Sequence, residues 1–188
     1  MKNDRLANVV LYLLKGRPDA GLTVLLKLVY LSDYEHYQKH LSTITGASYV
    51  VQDRGPVLQH YRDYLDAMQT AGFFKIKKIP IPGKKPKEEY ELLGEPDLTA
   101  FTKDERETLD HVLMVCDGMT GADLSDQSHA EMGPWKLAGG TGALGGVIPP
   151  ALFRWFENFA DEKDVEEAKR RAKSPEIAAA IAEALKAD

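Results

Sequence analysis

A mainly α-helical α+β fold, a compact helical domain with a small β-hairpin and a helical C-terminal extension, is predicted by three features of this sequence. Apolar residues recur at helical spacing in several separate stretches, the first being Leu6, Val9, Val10, Leu13 and Leu14. One region, FFKIKKIPI followed by KEEYELL, alternates instead, as paired strands do. Beyond Asp161 the chain turns strongly charged, with Glu166 and Arg170, and Glu167 and Arg171, at i,i+4 positions that suit a solvated helix. The boundaries that follow are a domain over residues 1–160 and a charged helical tail over residues 161–188. A chain of 188 residues has room for one sizeable core and is short for two.

The first helix is expected from Asp4 to Lys15, ended by Gly16 and Pro18. Thr23 is the expected N-cap of the second. From Val24 to Leu31 that helix is apolar almost all round, apart from Lys27 and the Tyr30 hydroxyl, which predicts a central buried position. Its polar continuation to His40 is expected to leave the core and stop around Leu41. The segment SYVVQ predicts a short strand over residues 48–52. Pro56, following Gly55, is expected in the first turn of a third helix with Val57, Leu58, Tyr61, Leu65 and Met68 on one face and Gly72 at its end. The hairpin over residues 73–93 turns through Pro82-Gly83-Lys84-Lys85-Pro86. Thr102 with Glu105 spells a capping box for a helix carrying Leu109, Val112, Leu113 and Cys116, and Thr120 with Asp123 and Ser128 with Glu131 repeat the device. Residues 139–146 read as a mobile, glycine-rich surface loop suited to ordering on a partner. Pro149 and Pro150 then open a last core helix with Leu152, Phe153, Phe156 and Phe159. In the tail, Ser174-Pro175-Glu176 precedes an Ala-rich helix whose Ile177, Ile181 and Leu185 form a narrow seam, suited to a partner groove, to dimerisation or to packing back on the domain.

Composition narrows the classes of function. With 44% hydrophobic and 28% charged residues the chain is ordinary for a soluble protein, and no apolar run approaches the roughly 18 to 20 residues that cross a bilayer. The opening MKNDRLANVV is too polar for a signal peptide, and the single Cys116 fits a reducing cytoplasm, which is the expected location. A net charge of −5 argues against non-specific nucleic-acid binding while leaving room for a local basic patch.

Several clusters invite a chemical reading and each has a simpler one. Asp33, His36 and His40 fall at i, i+3 and i+7, a spacing a transition metal could use with His60 as a further ligand, yet a polar helix end explains them equally. Ser125, Asp126, Ser128 and His129 bring a nucleophile and a base close in sequence, whereas catalytic triads converge in space and the Gly-x-Ser-x-Gly elbow is missing. Gly140, Gly142 and Gly145 match Gly-x-Gly-x-x-Gly without the strand before it or the helix opening at its third glycine. No catalytic residue, metal or cofactor is therefore expected. Lys75, Lys77, Lys78, Lys84, Lys85 and Lys87 cluster in the hairpin, and the order helix, helix, strand, helix, hairpin is loosely that of a winged helix. A nucleic-acid-binding regulator using those lysines is the alternative function, with Glu88, Glu89 and Glu91 cancelling half of the charge.

Three segments taken together carry a resemblance: LLKLVYLSDYEHY from Leu25, DRGPVLQHYRDYL from Asp53 and LSDQSHAEMGPW from Leu124. Their order of Leu-Lys-Leu-x-Tyr-x-x-Asp, Gly-Pro and Leu-Ser-x-x-Ser-His before Pro-Trp resembles the Panacea domain, the SocA-like family of bacterial antitoxins. The resemblance implies an antitoxin that is not an enzyme. It would neutralise a cognate protein toxin by direct binding, in at least one relative as an adaptor handing the toxin to the ClpXP protease. Such a protein needs a partner-binding surface, and the candidates are Asp33, Glu35 and His36 on the second helix, the turn Asp53, Arg54, Gly55 and Pro56, and the segment of Ser128, His129 and Trp135.

Overall fold

A computed structural model describes residues 4–83, 86–129 and 133–156 of the chain. Six α-helices lie among these residues: α1 (Arg5–Gly16), α2 (Leu22–His40), α3 (Tyr61–Thr70), α4 (Lys103–Val115), α5 (Gly121–Ser128) and α6 (Pro134–Leu137). Five short strands join them: β1 (Tyr49–Gln52), β2 (Gly55–Leu58), β3 (Phe74–Ile79), β4 (Lys87–Leu92) and β5 (Val147–Ile148). The fold is mainly α-helical α+β, with antiparallel sheets of order β2-β1-β5 and β3-β4. The tail over residues 161–188 and the side chains of Phe156 and Phe159 lie outside the described residues.

Helix α2 is the axis of the core, packed by α1, α4, α5 and β2. Leu25, Leu28 and Val29 are fully enclosed, as an all-round apolar stretch requires. An aromatic cluster closes its far half: the Phe153 ring stands edge-on to Tyr30 and Tyr34, each with centroids 5.6 Å apart, and to Tyr37 at 5.7 Å. Arg17, just past α1, is buried and donates to the carbonyls of Cys116 and Met119, which ties α1 to the link between α4 and α5. Both capping boxes, Thr102 with Glu105 and Thr120 with Asp123, form and start α4 and α5 where the sequence places them.

Four expectations are corrected. The cap of α2 is Gly21, which offers no side chain, and Thr23 lies in the first turn. The polar half of α2 stays in the core, where Asp33 and His36 are buried against the loop after the helix and against α4. Pro56 opens no helix; residues 55–58 form β2, paired with β1 in the register Gln52 opposite Gly55 and Val51 opposite Pro56. A proline survives there because β2 is the outer strand of its sheet, so no ladder bond misses its N–H. His60, in the left-handed region at φ 54°, then breaks strand from helix. Lastly, the glycine-rich segment is anchored: Gly145 N–H donates to the Val51 carbonyl and Val51 N–H to that of Gly146, each at 2.8 Å, and β5 follows on the other edge of β1.

Candidate functional site

Gly55 is the point where the three segments singled out in the sequence meet. It follows the tight turn of Asp53 and Arg54 at φ 95°, a conformation that favours glycine. A side chain at this position would overlap Lys27 Nζ from α2 and Ser128 Oγ from α5, and would stand 3.0 Å from His129 Nε2. Lys27 is 1% exposed, and among the described residues no carboxylate is bonded to its ammonium group. It donates to the Pro56 carbonyl at 3.1 Å and to Ser128 Oγ at 3.0 Å. Ser128 in turn donates to the Ser125 carbonyl at 2.8 Å. Burial alone lowers the Lys27 amine to about 7, because two neutral acceptors replace its hydration only in part.

His129 stacks on Trp135 with ring centroids 4.1 Å apart, and the indole Nε1 donates to the Gln52 carbonyl at 2.9 Å. The last residue of β1 is thereby fixed to the segment of α6. Among the described residues the buried His129 Nε2 has no hydrogen-bond partner. Burial, and next the charge of Lys27, hold the His129 ring below its ordinary range, while Asp126 and the Arg54 carbonyl pull the other way. Ser128 is the last residue of α5, and its expected capping of Glu131 lies outside the described residues.

The other predicted residues fall elsewhere. Asp33 is wholly buried and accepts from Ile44 N–H at 2.8 Å, Thr45 N–H at 2.9 Å, the Thr45 hydroxyl and the Tyr49 hydroxyl at 2.7 Å. Burial pushes its carboxyl up and these donors pull it back. It therefore anchors the loop after α2 and faces no exterior surface. His36 contacts Thr108 Oγ1 at 3.2 Å and stacks on His40, and Glu35 holds Lys39 at 2.6 Å and His111 at 2.8 Å. Burial, then the neighbouring His40, lower the His36 ring. His60 is exposed beside Asp63, and among the described residues no three His, Cys, Asp or Glu gather as a metal site would need.

In the hairpin, Lys75 faces Glu91, Lys77 faces Glu89 and Lys78 faces Glu88, and ion pairs join Lys77 to Glu91 and Lys87 to Glu89. Lys84 and Lys85 lie outside the described residues. Within β3 and β4 the basic charge is matched strand against strand.

The turn of Asp53 and Arg54 emerges from this centre, with both side chains exposed and Gln52 exposed beside them. Arg54 stands between two hollows of about 450 and 570 Å³ that share Leu22 and Thr23 of α2. Sequence reasoning missed Lys27 as a member of the site. The signal was present, since a single lysine in the otherwise apolar first half of α2 must find acceptors inside the fold.

Residues 25–136 match the family model described as antitoxin SocA-like, Panacea domain. No curated protein and no solved structure matches the chain. The matched segment opens two residues before Lys27 and closes one residue after Trp135, so every residue that meets around Gly55 falls inside it. Since the match spans more than half of the sequence, the chain belongs to the SocA-like antitoxin family and carries its Panacea domain.

Proposed function

We propose that this chain is an antitoxin that binds a cognate protein toxin directly, through the face crowned by Asp53 and Arg54. The observation that carries this reading is the convergence on Gly55: three distant segments are locked together by buried polar contacts, and the charged turn of Asp53 and Arg54 stands exposed above them. A rigid scaffold beneath an exposed loop suits recognition, because little ordering entropy is lost on binding. Catalysis fits less well. Ser128, the nearest hydroxyl to a lysine of lowered basicity, is buried and hydrogen-bonded within its own helix.

In this reading residues 1–160 are the binding domain, residues 161–188 an appended tail, and the site of action is the cytoplasm. His129 and Trp135 support the surface from below, while Glu35, paired with Lys39 and His111, lies away from it. Delivery of the toxin to ClpXP is a second step that direct binding allows. The test is a growth assay in which the open reading frame beside this gene is induced alone and then with this chain. Toxicity relieved by the chain, with the two proteins co-purifying, is the expected result. Toxicity without relief overturns the reading. A toxin half-life that shortens only in cells with intact ClpXP assigns the adaptor route.

A further inference from the structure

The two hollows beside Arg54 form a cleft whose charge differs from that of the chain. The protein carries a net −5, yet around the cleft stand Arg17, Lys27, Arg54, Arg62 and Lys87 against Asp19, Asp53 and Glu88. Internal partners occupy several of these. Arg62 holds Glu88 through contacts of 2.8 and 2.9 Å, Arg17 lies 3.5 Å from Asp19, and Lys87 holds Glu89. Of the five cations around the cleft, two have no carboxylate partner among the described residues: Arg54, exposed at the divide between the hollows, and Lys27, buried in the wall of the smaller one. Among the described residues that line the smaller hollow, Asp53 is the one carboxylate. The first turn of α2, capped by Gly21 without a side-chain acceptor, lines both hollows and adds the partial positive charge of a helix start. The smaller hollow also has apolar walls in Leu22, Leu26, Val57 and the ring of Tyr61, with Thr23 and Gln52 as neutral polar members.

We propose that this cleft takes a segment of the partner protein that carries carboxylates among apolar side chains, with Arg54 as its charge anchor. The inference rests on the antitoxin reading for the identity of the partner. It rests on charge complementarity for the chemistry of the segment. A nucleic-acid backbone fits less well, since its regular charge would meet Asp19, Asp53 and Glu88 as well as the overall negative field.

Two measurements on the full chain decide it. In the complex with the neighbouring gene product, Arg54→Ala should weaken binding about 10-fold and Arg54→Glu about 100-fold, with melting temperatures unchanged because Arg54 is an exposed turn residue. An Arg54→Glu protein that binds like the original overturns the inference while leaving the antitoxin reading standing. Independently, a fluorescein-labelled peptide of alternating leucine and glutamate should bind the original chain and lose that binding in Arg54→Glu, whereas its leucine and glutamine counterpart should not bind. Equal binding of both peptides, or of neither, overturns the inference, as does a labelled DNA oligomer that binds through Arg54. This titration decides the cleft even if no toxin is found next door.

Discussion

Helix α2 carries two buried charges, Lys27 and Asp33, and the fold treats them in opposite ways. Asp33 is saturated: two backbone N–H groups and two hydroxyls, from Thr45 and Tyr49, converge on its oxygens. Lys27 has a backbone carbonyl and a serine hydroxyl, both neutral. A carboxylate supplied with that many donors is a fastener, holding the loop after the helix against β1. An ammonium group given neutral acceptors beneath an exposed charged turn is instead poorly compensated. The difference separates the structural half of the family's Leu-Lys-Leu-x-Tyr-x-x-Asp segment from the half that belongs to the site.

The largest effect is expected at the fastener. Asp33→Ala leaves the Ile44 and Thr45 amides without an acceptor and the Tyr49 hydroxyl with only the Val29 carbonyl at 3.3 Å, so at about 1–3 kcal/mol for each orphaned amide a loss of roughly 2–6 kcal/mol is expected in urea unfolding. A loss below about 1 kcal/mol would show that Asp33 is no more committed to the fold than Lys27, and the contrast would fail.

Next comes Gly55→Ala. Positive φ costs about 1–2 kcal/mol for a residue with a Cβ, and the new methyl must displace Lys27 Nζ or Ser128 Oγ from their shared contact. The expected destabilisation is about 2–4 kcal/mol with complex formation lost. Binding retained in a folded Gly55→Ala protein would dissociate the partner surface from this meeting point.

Lys27→Met sharpens the comparison through pH. With the amine lowered to about 7 in the fold, the unfolded chain holds more protons than the native one between about pH 7 and the ordinary lysine value near 10.4. Stability contributed by this group therefore rises with pH across that window, and is least where the buried amine is charged, below about 7. The original chain should gain up to a few kcal/mol relative to Lys27→Met from pH 7 to 10. At pH 7 the variant should be about as stable as the original, since losing a buried charge offsets the donor lost to the Pro56 carbonyl. Parallel pH profiles for the two proteins would place Lys27 in a solvated setting.

What the sequence made legible follows the range of the physics. Helical periodicity, the two capping boxes and the alternation of the hairpin are local signals, and α1, α4, α5, β3 and β4 form where they point. Gly55-Pro56 is locally ambiguous, because proline suits both a helix start and an edge strand; pairing with β1 decides it. Asp33 looked like surface charge because its donors come from the loop and strand after the helix, which no helical pattern reveals. The glycine-rich segment was read as free for the same reason, its bonds running back to Val51. For the site, Gly55, Ser128, His129 and Trp135 were legible only as members of ordered motifs. Lys27, which joins them, stood in plain view as the one charge in an apolar run.

The smallest effect is expected from the hairpin lysines, and it bears on the same contrast from the side of the surface. Lys75, Lys77 and Lys78 lie across from Glu91, Glu89 and Glu88, and Lys77 makes its 3.0 Å ion pair with both partners well exposed. Exposed pairs of this kind contribute at most about 1 kcal/mol and are screened by salt. Changing Lys75, Lys77 and Lys78 together to glutamine should therefore shift stability by less than about 1 kcal/mol and leave the affinity for the partner unchanged between low and moderate salt. An affinity that falls with these changes, or a salt-sensitive DNA complex that they abolish, would move the functional charge from the turn at Arg54 to the hairpin. Matched charges on a strand pair keep an edge soluble, whereas Arg54, exposed in the β1–β2 turn with no carboxylate partner among the described residues, keeps its charge for a partner.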